Sequence, residues 1–370
     1  MSQHQWPDWL PLRSDLRGLS PYGAPQLPSL AQLNTNENPY PPSEKLIKAI
    51  AHRVEEVASS LNRYPDRDAL ELRRVLAQFL NERSHTTLSE ENIWAANGSN
   101  EIIQSLFLAF GGESAIGFVP SYSMHPLIAQ VTGTPWINGV RNTDFTLDLV
   151  RAVEQIKQSK SKLIFITTPN NPTGTSVGIA DIEILVGAAA EVSGLLVVDE
   201  AYAEFSDEAS AITLLSKFPN LLVVRTMSKA FAFAGARVGY LAANKEVVDA
   251  LQLVRLPYHL SAVTQAIALV ALEHREELLA NVKTLIADRE RMVEKLELLG
   301  AEVIPSSSNF LLFTVPSSKE IWNSLLDQGV LIRDVGLPGY LRVTIGNTAE
   351  NKRFIEALAN SLGESLGGKI

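Results

Sequence analysis

Apolar residues fall into three rhythms along the chain. From Asp68 to Asn81 they recur at Leu72, Val75, Leu76, Phe79 and Leu80, the spacing of one helical face. In the middle, Leu163–Ile166, Leu195–Val198 and Leu221–Val224 are short unbroken runs rich in branched residues. Unbroken runs suit strands covered on both faces, as in a parallel sheet flanked by helices. Between the first two, Ile182, Leu185, Val186 and Ala189 follow i, i+3, i+4, i+7 spacing, so a strand–helix–strand unit with a right-handed crossover is predicted. The fold class is therefore α/β, with a doubly wound, mostly parallel sheet. After about Leu260 the rhythm changes. A long helix through Val282, Leu285, Ile286, Val293 and Leu296 stops at Gly300, a good residue just past a helix end. Strand signals at 301–304, 309–313, 330–333 and 341–345 then mix with helices near 320–327 and from Ala349, which suggests a smaller α+β domain.

The stretch up to about Glu44 lacks such periodicity and holds Pro21, Pro25, Pro28, Pro39, Pro41 and Pro42. Proline fixes φ and removes a donor, so this reads as an extended arm rather than a packed element. Asn34–Pro39, dense in hydrogen-bonding side chains, suits an arm laid over a neighbour or a site; a loose leader fits as well. The expected division is an arm at 1–44, a large domain at 45–262 and a small one at 263–370.

Composition narrows the chemistry. A chain of 370 residues, 46% of them apolar, can bury a core without metal or disulfide staples. The absence of cysteine excludes disulfides, thiolate zinc sites, iron–sulfur clusters and a cysteine nucleophile. With 32 basic and 41 acidic residues, the net charge of -9 disfavours nucleic acid and anionic membranes as partners. His4, His52, His85, His125, His259 and His274 are scattered, with no pair at metal-ligand spacing, so no metal is expected. No apolar run approaches the ~20 residues of a membrane span. The first residues lack the regions of a signal peptide, so the expected location is the cytoplasm.

In open α/β sheets, ligands bind beyond the carboxyl ends of the strands. The three apolar runs end in Thr167-Thr-Pro-Asn-Asn-Pro-Thr-Gly174, Asp199-Glu-Ala-Tyr202 and Arg225-Thr-Met-Ser-Lys229, the last followed by Gly235-Ala-Arg237. One rim thus gathers an amide, a carboxylate with a phenol, and a lysine with hydroxyls and a guanidinium. Burial and the cation Arg237 would lower the pKa of Lys229, and a lysine that sheds its proton traps carbonyl groups. Asp199 would keep a proton on a heterocyclic nitrogen, and Tyr202 offers a hydroxyl to a phenolate oxygen. Thr226, Ser228 and Arg237 make an anion cradle. Upstream, Ala96-Asn-Gly-Ser-Asn-Glu101 opens a helix whose free amides and dipole favour anions, with Gly98 allowing close approach. Tyr122, just after the apolar run at 116–119, can cover a planar ring. Singly, each has a plain structural explanation: Asp199 a cap, Lys229 a surface residue, Asn171-Pro an ordinary turn. Together they fit a phosphorylated pyridine aldehyde.

Asn170-Asn-Pro-Thr-Gly174, Asp199-Glu-Ala-Tyr202 and Ser228-Lys229 with Gly235-Ala-Arg237 resemble the fold-type-I pyridoxal-phosphate aminotransferases over nearly the whole chain. Leu33–Pro39, Arg63–Asp66, Arg225–Phe231, Val330–Asp334 and Tyr340–Gly346 look like the branch of that family acting on histidinol phosphate. The resemblance implies pyridoxal 5′-phosphate as cofactor, bound covalently by Lys229, which also moves the reacting proton. It implies Asp199 at the ring nitrogen, Asn171 and Tyr202 at the ring oxygen, and Tyr122 on the ring face. Ser99, Asn100, Thr226, Ser228 and Arg237 would hold the cofactor phosphate, joined by Tyr64 from a second subunit of a homodimer. Arg333 and Arg342 would bind the substrate anion, helped by Tyr22 and Asn36. A guanidinium fork suits carboxylate and phosphate alike. The arm departs from the family's Tyr-x-Pro-Gly pattern, reading Pro21-Tyr-Gly-Ala-Pro25. The expected reaction is transamination of L-histidinol phosphate with 2-oxoglutarate in histidine synthesis. The alternatives are an aromatic amino-acid aminotransferase, a threonine-phosphate decarboxylase, or a cofactor-binding regulator.

Overall fold

The computed structural model describes residues 6–367. In chain order the first elements are β1 (Ala31–Gln32), α1 (Glu44–Ala58), α2 (Leu70–Ser84), β2 (Ile93–Ala96), α3 (Ser99–Phe110) and β3 (Ala115–Val119). Then follow α4 (Met124–Thr132), β4 (Trp136–Val140), α5 (Leu149–Ser159), β5 (Leu163–Thr167), α6 (Ile179–Glu191) and β6 (Leu195–Asp199). Next come β7 (Leu221–Thr226), β8 (Gly239–Ala243), α7 (Lys245–Val254), α8 (Ala262–Glu273) and α9 (Arg275–Leu298). The last are β9 (Phe310–Thr314), α10 (Ser318–Asp327), β10 (Val330–Leu331), β11 (Tyr340–Thr344) and α11 (Thr348–Gly367).

A seven-stranded sheet has the order β2-β8-β7-β6-β5-β3-β4. Strand β8 runs antiparallel to both neighbours, and the other adjacent pairs are parallel. The three apolar runs are its adjacent strands β5, β6 and β7, as expected. Their alternate residues enter two separate cores: Leu196, Val198, Leu221 and Val223 pack on one face, Val197, Leu222 and Val224 on the other. That is the physical meaning of an unbroken apolar run, since successive side chains point to opposite faces and both are covered. Helices α3, α4 and α7 supply the second core through residues such as Ile102, Leu106, Ile128 and Val248. Strands β2 and β8 escape the periodicity analysis because Ile-Trp-Ala-Ala and Gly-Tyr-Leu-Ala-Ala carry few branched residues.

The C-terminal strands form smaller pairings. Strand β9 lies antiparallel to β11, and β1 lies parallel to β10. Gly300, at φ +83°, follows the end of α9 as expected. The expected strand at 301–304 reduces to a single bridge from Val303 to Phe313. Of the two readings of the first stretch, an arm laid over a site rather than a loose leader describes residues 31–37. Ala31, Leu33, Asn34 and Asn36 are buried, and the Leu33 amide donates to the Leu331 carbonyl at 2.8 Å while the Thr344 amide donates to the Leu33 carbonyl at 3.0 Å. Two inward apolar residues are too few for a detectable period, yet enough to seat the segment between β10 and β11.

Gly239 opens β8 beside Thr226 of β7 and Ala96 of β2. A Cβ there would run into the backbone of Gly98 and Ser99. The missing side chain lets β8 lie directly against the start of α3. Gly239→Ala should therefore destabilise the protein by about 1–3 kcal/mol in denaturant melts, as overpacking does. Gly187→Ala, within α6 where a new Cβ meets nothing within 4 Å, should instead be neutral or stabilising by up to about 1 kcal/mol.

Candidate active site

A cavity of about 500 Å³ opens where the carboxyl ends of β5, β6 and β7 meet the arm and the C-terminal strands. Every site residue expected from the sequence lines it except Tyr64. Tyr64 lies instead on the outer surface, 79% exposed and stacked on Tyr258 with ring centroids 4.3 Å apart. Tyr22 lines the cavity with half of its surface still exposed.

Lys229 follows β7 in a tight loop and donates from Nζ to the Thr35 carbonyl at 2.8 Å. Its pKa is drawn down to about 8, first by burial and then by the Arg342 guanidinium; Glu37 opposes the shift and Arg237 adds to it less. The sequence pointed to Arg237 as the neighbouring cation. Arg342 outranks it, a residue more than a hundred positions away that only folding brings near. An amine with this pKa is neutral often enough at physiological pH to act as a nucleophile and base.

Asp199 ends β6 buried in the cavity wall. Its Oδ1 accepts from the Ala201 amide at 3.2 Å, and Nε2 of buried His125 lies 3.1 Å from its Oδ2. With the carboxylate ionised, that ring nitrogen is the donor. His125 sits on α4 and was missed in the sequence, where it is one lone histidine among six. Its only signal was its place just after a strand end, beside Tyr122. Tyr122 packs edge-on against the His125 ring at 5.4 Å and donates to Asn100 Oδ1 at 3.2 Å. Burial raises the pKa of Tyr122 and pushes Tyr202 up to about 12, so both phenols are donors at neutral pH.

One end of the cavity is an anion cup. Helix α3 starts at Ser99 with no side-chain cap, so its first amides and dipole face the cavity. The Gly98 position is left-handed, at φ +82°, and a Cβ there would meet Arg237 Nη2 at 2.5 Å. The positive φ favours glycine here, and the missing side chain leaves room for the Arg237 guanidinium. Arg237 donates to Ser228 Oγ at 3.4 Å, and Thr226 Oγ1 donates to Ser228 Oγ at 3.0 Å. Helix amides, a guanidinium and two hydroxyls together fit a phosphate.

A second cationic group lines the same cavity. Arg342 on β11 is buried, donates from Nη1 to Asn171 Oδ1 at 2.5 Å and from Nη2 to the Asn34 carbonyl at 2.8 Å, and lies over Phe310. Its Nε is buried without a hydrogen-bond partner, and no carboxylate pairs with it among the described residues. Burial lowers its pKa to about 10. Arg333 bridges to Arg342 through the backbone and also lines the cavity. Asn36 spans the gap, donating from Nδ2 to Tyr202 Oη at 2.8 Å while its Oδ1 accepts from Thr344 Oγ1 at 3.1 Å. The residues present fit pyridoxal 5′-phosphate: a cup for its phosphate, Asp199 for its ring nitrogen, and an amine of lowered pKa for its aldehyde.

The family model for class I and II aminotransferases matches residues 28–358, and the chain belongs to that family. Among its relatives, histidinol-phosphate aminotransferase of Mycobacterium sp. (strain JLS) is 53% identical over 98% of this chain and 96% of that protein. The histidinol-phosphate aminotransferase of Mycolicibacterium smegmatis is 55% identical over 96% of this chain and 95% of its own length. The solved histidinol-phosphate aminotransferase of Sinorhizobium meliloti, in complex with pyridoxal-5′-phosphate, shares the fold with a TM-score of 0.81. It is 23% identical and covers 91% of this chain and 92% of its own.

The depressed pKa of Lys229 has a thermodynamic consequence. Between about 8 and the ordinary 10.5, the unfolded chain holds a proton on this amine that the folded chain has released. Stability from this group therefore rises with pH across that window and is lost below it. Comparing denaturant melts of the wild-type apoprotein and Lys229→Met from pH 7 to 11 should show their difference growing in favour of wild type as pH rises. A flat difference would mean the amine is not perturbed.

Proposed function

We propose that the protein transfers the amino group of L-histidinol phosphate to 2-oxoglutarate, with pyridoxal 5′-phosphate as cofactor, in the cytoplasmic synthesis of L-histidine. The observation that carries the cofactor assignment is the juxtaposition, in one cavity, of Lys229, Asp199 backed by His125, and the cup of α3, Ser228 and Arg237. The substrate assignment is supported by the names of relatives more than half identical over nearly the whole chain. Phosphorylated amines and oxo acids do not cross membranes unaided, which favours the compartment where they are made.

When bound, the cofactor supplies an aldehyde that captures amines and a protonated ring that takes up electron density. The chain supplies the rest. Ser99, Asn100, Thr226, Ser228 and Arg237 bind the phosphate. Asp199, oriented by His125, keeps the proton on the ring nitrogen, while Asn171 and Tyr202 hold the ring oxygen and Tyr122 covers the ring. Lys229 Nζ would remove the proton from the amine-bearing carbon of the amino donor and pass it to the aldehyde carbon of the bound cofactor, and in the second half-reaction would carry a proton the opposite way, onto the carbonyl carbon of the oxo acid. Histidinol phosphate brings a phosphate and no carboxylate, whereas glutamate brings two carboxylates. The planar forks of Arg342 and Arg333 can serve both in alternation, with Tyr22 and Asn36 closing over them.

The exposed Tyr64–Tyr258 stack is flanked in sequence by Leu253 and Leu256, which are 85% and 76% exposed. Apolar surface of this kind suits a second copy of the chain, which would bring Tyr64 to its neighbour's cofactor phosphate.

Four measurements test this reading. Lys229→Ala should lower kcat by at least about 10³-fold, the scale of a lost general base, while the cofactor still binds non-covalently. In a donor scan, histidinol phosphate should exceed phenylalanine and phosphothreonine in kcat/KM, with no carbon dioxide released; preference for phenylalanine would move the protein to the aromatic branch. Light scattering should give twice the 40.4 kDa chain mass, and Tyr64→Ala should weaken cofactor affinity roughly tenfold, as expected for one charged hydrogen bond.

A further inference from the structure

Behind the cavity, none of them lining it, three buried charged side chains tie the ends of β6 and β7 together. Arg225 sits between two carboxylates: its Nη2 lies 2.7 Å from Glu200 Oε2, and its Nη1 donates to Glu204 Oε1 at 2.9 Å. Ser210 closes the cluster, accepting from Arg225 at 2.9 Å and donating to Glu200 Oε2 at 2.8 Å, while the Ala211 amide donates to Glu200 Oε1 at 2.7 Å.

The cluster's position along the chain is what matters. Glu200 follows Asp199, Arg225 precedes Thr226, and Glu204 lies two residues beyond Tyr202. Because successive strand residues point to opposite faces, Arg225 of β7 lies behind the sheet while Thr226 lines the cavity, and Glu200, just past the end of β6, and Glu204, in the helical turn at 203–205, meet it there while Asp199 and Tyr202 line the cavity. The Glu200 amide also donates to the Val224 carbonyl at 2.9 Å, so the two strand ends are joined by backbone and by side chain. Buried ion clusters are poor stabilisers compared with apolar residues of equal size. A guanidinium fork between two carboxylates does something an apolar cluster does not, which is to fix both distance and rotation.

We propose that Glu200, Arg225 and Glu204 form a positioning clamp that sets the separation of Asp199 from Lys229, and through it the reactivity of the cavity amine and the poise of the bound ring. The inference rests on the cofactor assignment made above. The clamp touches neither substrate nor cofactor and acts only through the segments it holds.

Arg225→Met alone strands two buried carboxylates and threatens folding. The decisive variant is therefore the neutral triple replacement Glu200→Gln, Glu204→Gln, Arg225→Met, with Arg225→Lys as a second that keeps the charge and loses the fork. On the full-length holoenzyme, kcat, KM and the pH titration of the visible absorbance are measured. On the apoprotein, the rate of acylation of Lys229 is followed against pH. The folded triple variant should lose about ten- to a hundredfold in kcat, the cost of misplacing a reacting group by less than about 1 Å. Its KM should change little, and both titration midpoints should move by about half a pH unit or more. Arg225→Lys should show the same displacement in part. Either variant, folded and with wild-type kcat and wild-type midpoints, would reduce the cluster to a purely structural role. A wild-type protein that stays colourless with pyridoxal 5′-phosphate would defeat the cofactor assignment instead, and the apoprotein titration would still decide the clamp.

Discussion

Two backbone carbonyls of the arm hold the site together. Thr35 accepts from Lys229 and Asn34 from Arg342, each at 2.8 Å. These are cations withdrawn from water with no carboxylate partner of their own among the described residues, an arrangement that costs free energy unless other acceptors take its place. The arm provides those acceptors because it is itself fixed, by pairing of β1 with β10 and by the Asn36–Thr344 contacts. The depressed pKa values of Lys229 and Arg342 follow from this incomplete compensation. So does the readiness of both groups to meet a ligand.

The charge pattern in the cavity then reads as a template. Two cationic groups line the cavity, Arg237 with the start of α3 and Arg342 with Arg333, together with the carboxylate of Asp199. A ligand set with two anionic groups and a protonated ring nitrogen satisfies all of them at once. The phenols of Tyr122 and Tyr202, held protonated by burial, contribute donors without adding charge.

Rigid support behind these groups comes from the sheet. Strands β5, β6 and β7 are packed on both faces, so their carboxyl ends have little freedom to shift. Gly239 and Gly98 remove the side chains that would otherwise part β8 from α3 and displace Arg237. The cavity is thus framed by close backbone approaches, with its reactive groups on short loops just beyond them.

The sequence alone determined the central strands, the long helix ending before Gly300, and most of the residues now found around the cavity. It did so because burial on two faces, helical spacing and residue chemistry at strand ends are local signals. Tertiary structure decided what depends on partners far along the chain. His125 faces Asp199 only because β3 and α4 bring it there, and Arg342 outweighs Arg237 at Lys229 only because β11 packs beside the arm. Alanine-rich β2 and β8, and the two-residue β1, are strands because their neighbours pair with them, not because their own residues demand it. A pattern of side chains encodes which faces are buried; which buried groups then meet is set by the packing of the whole chain.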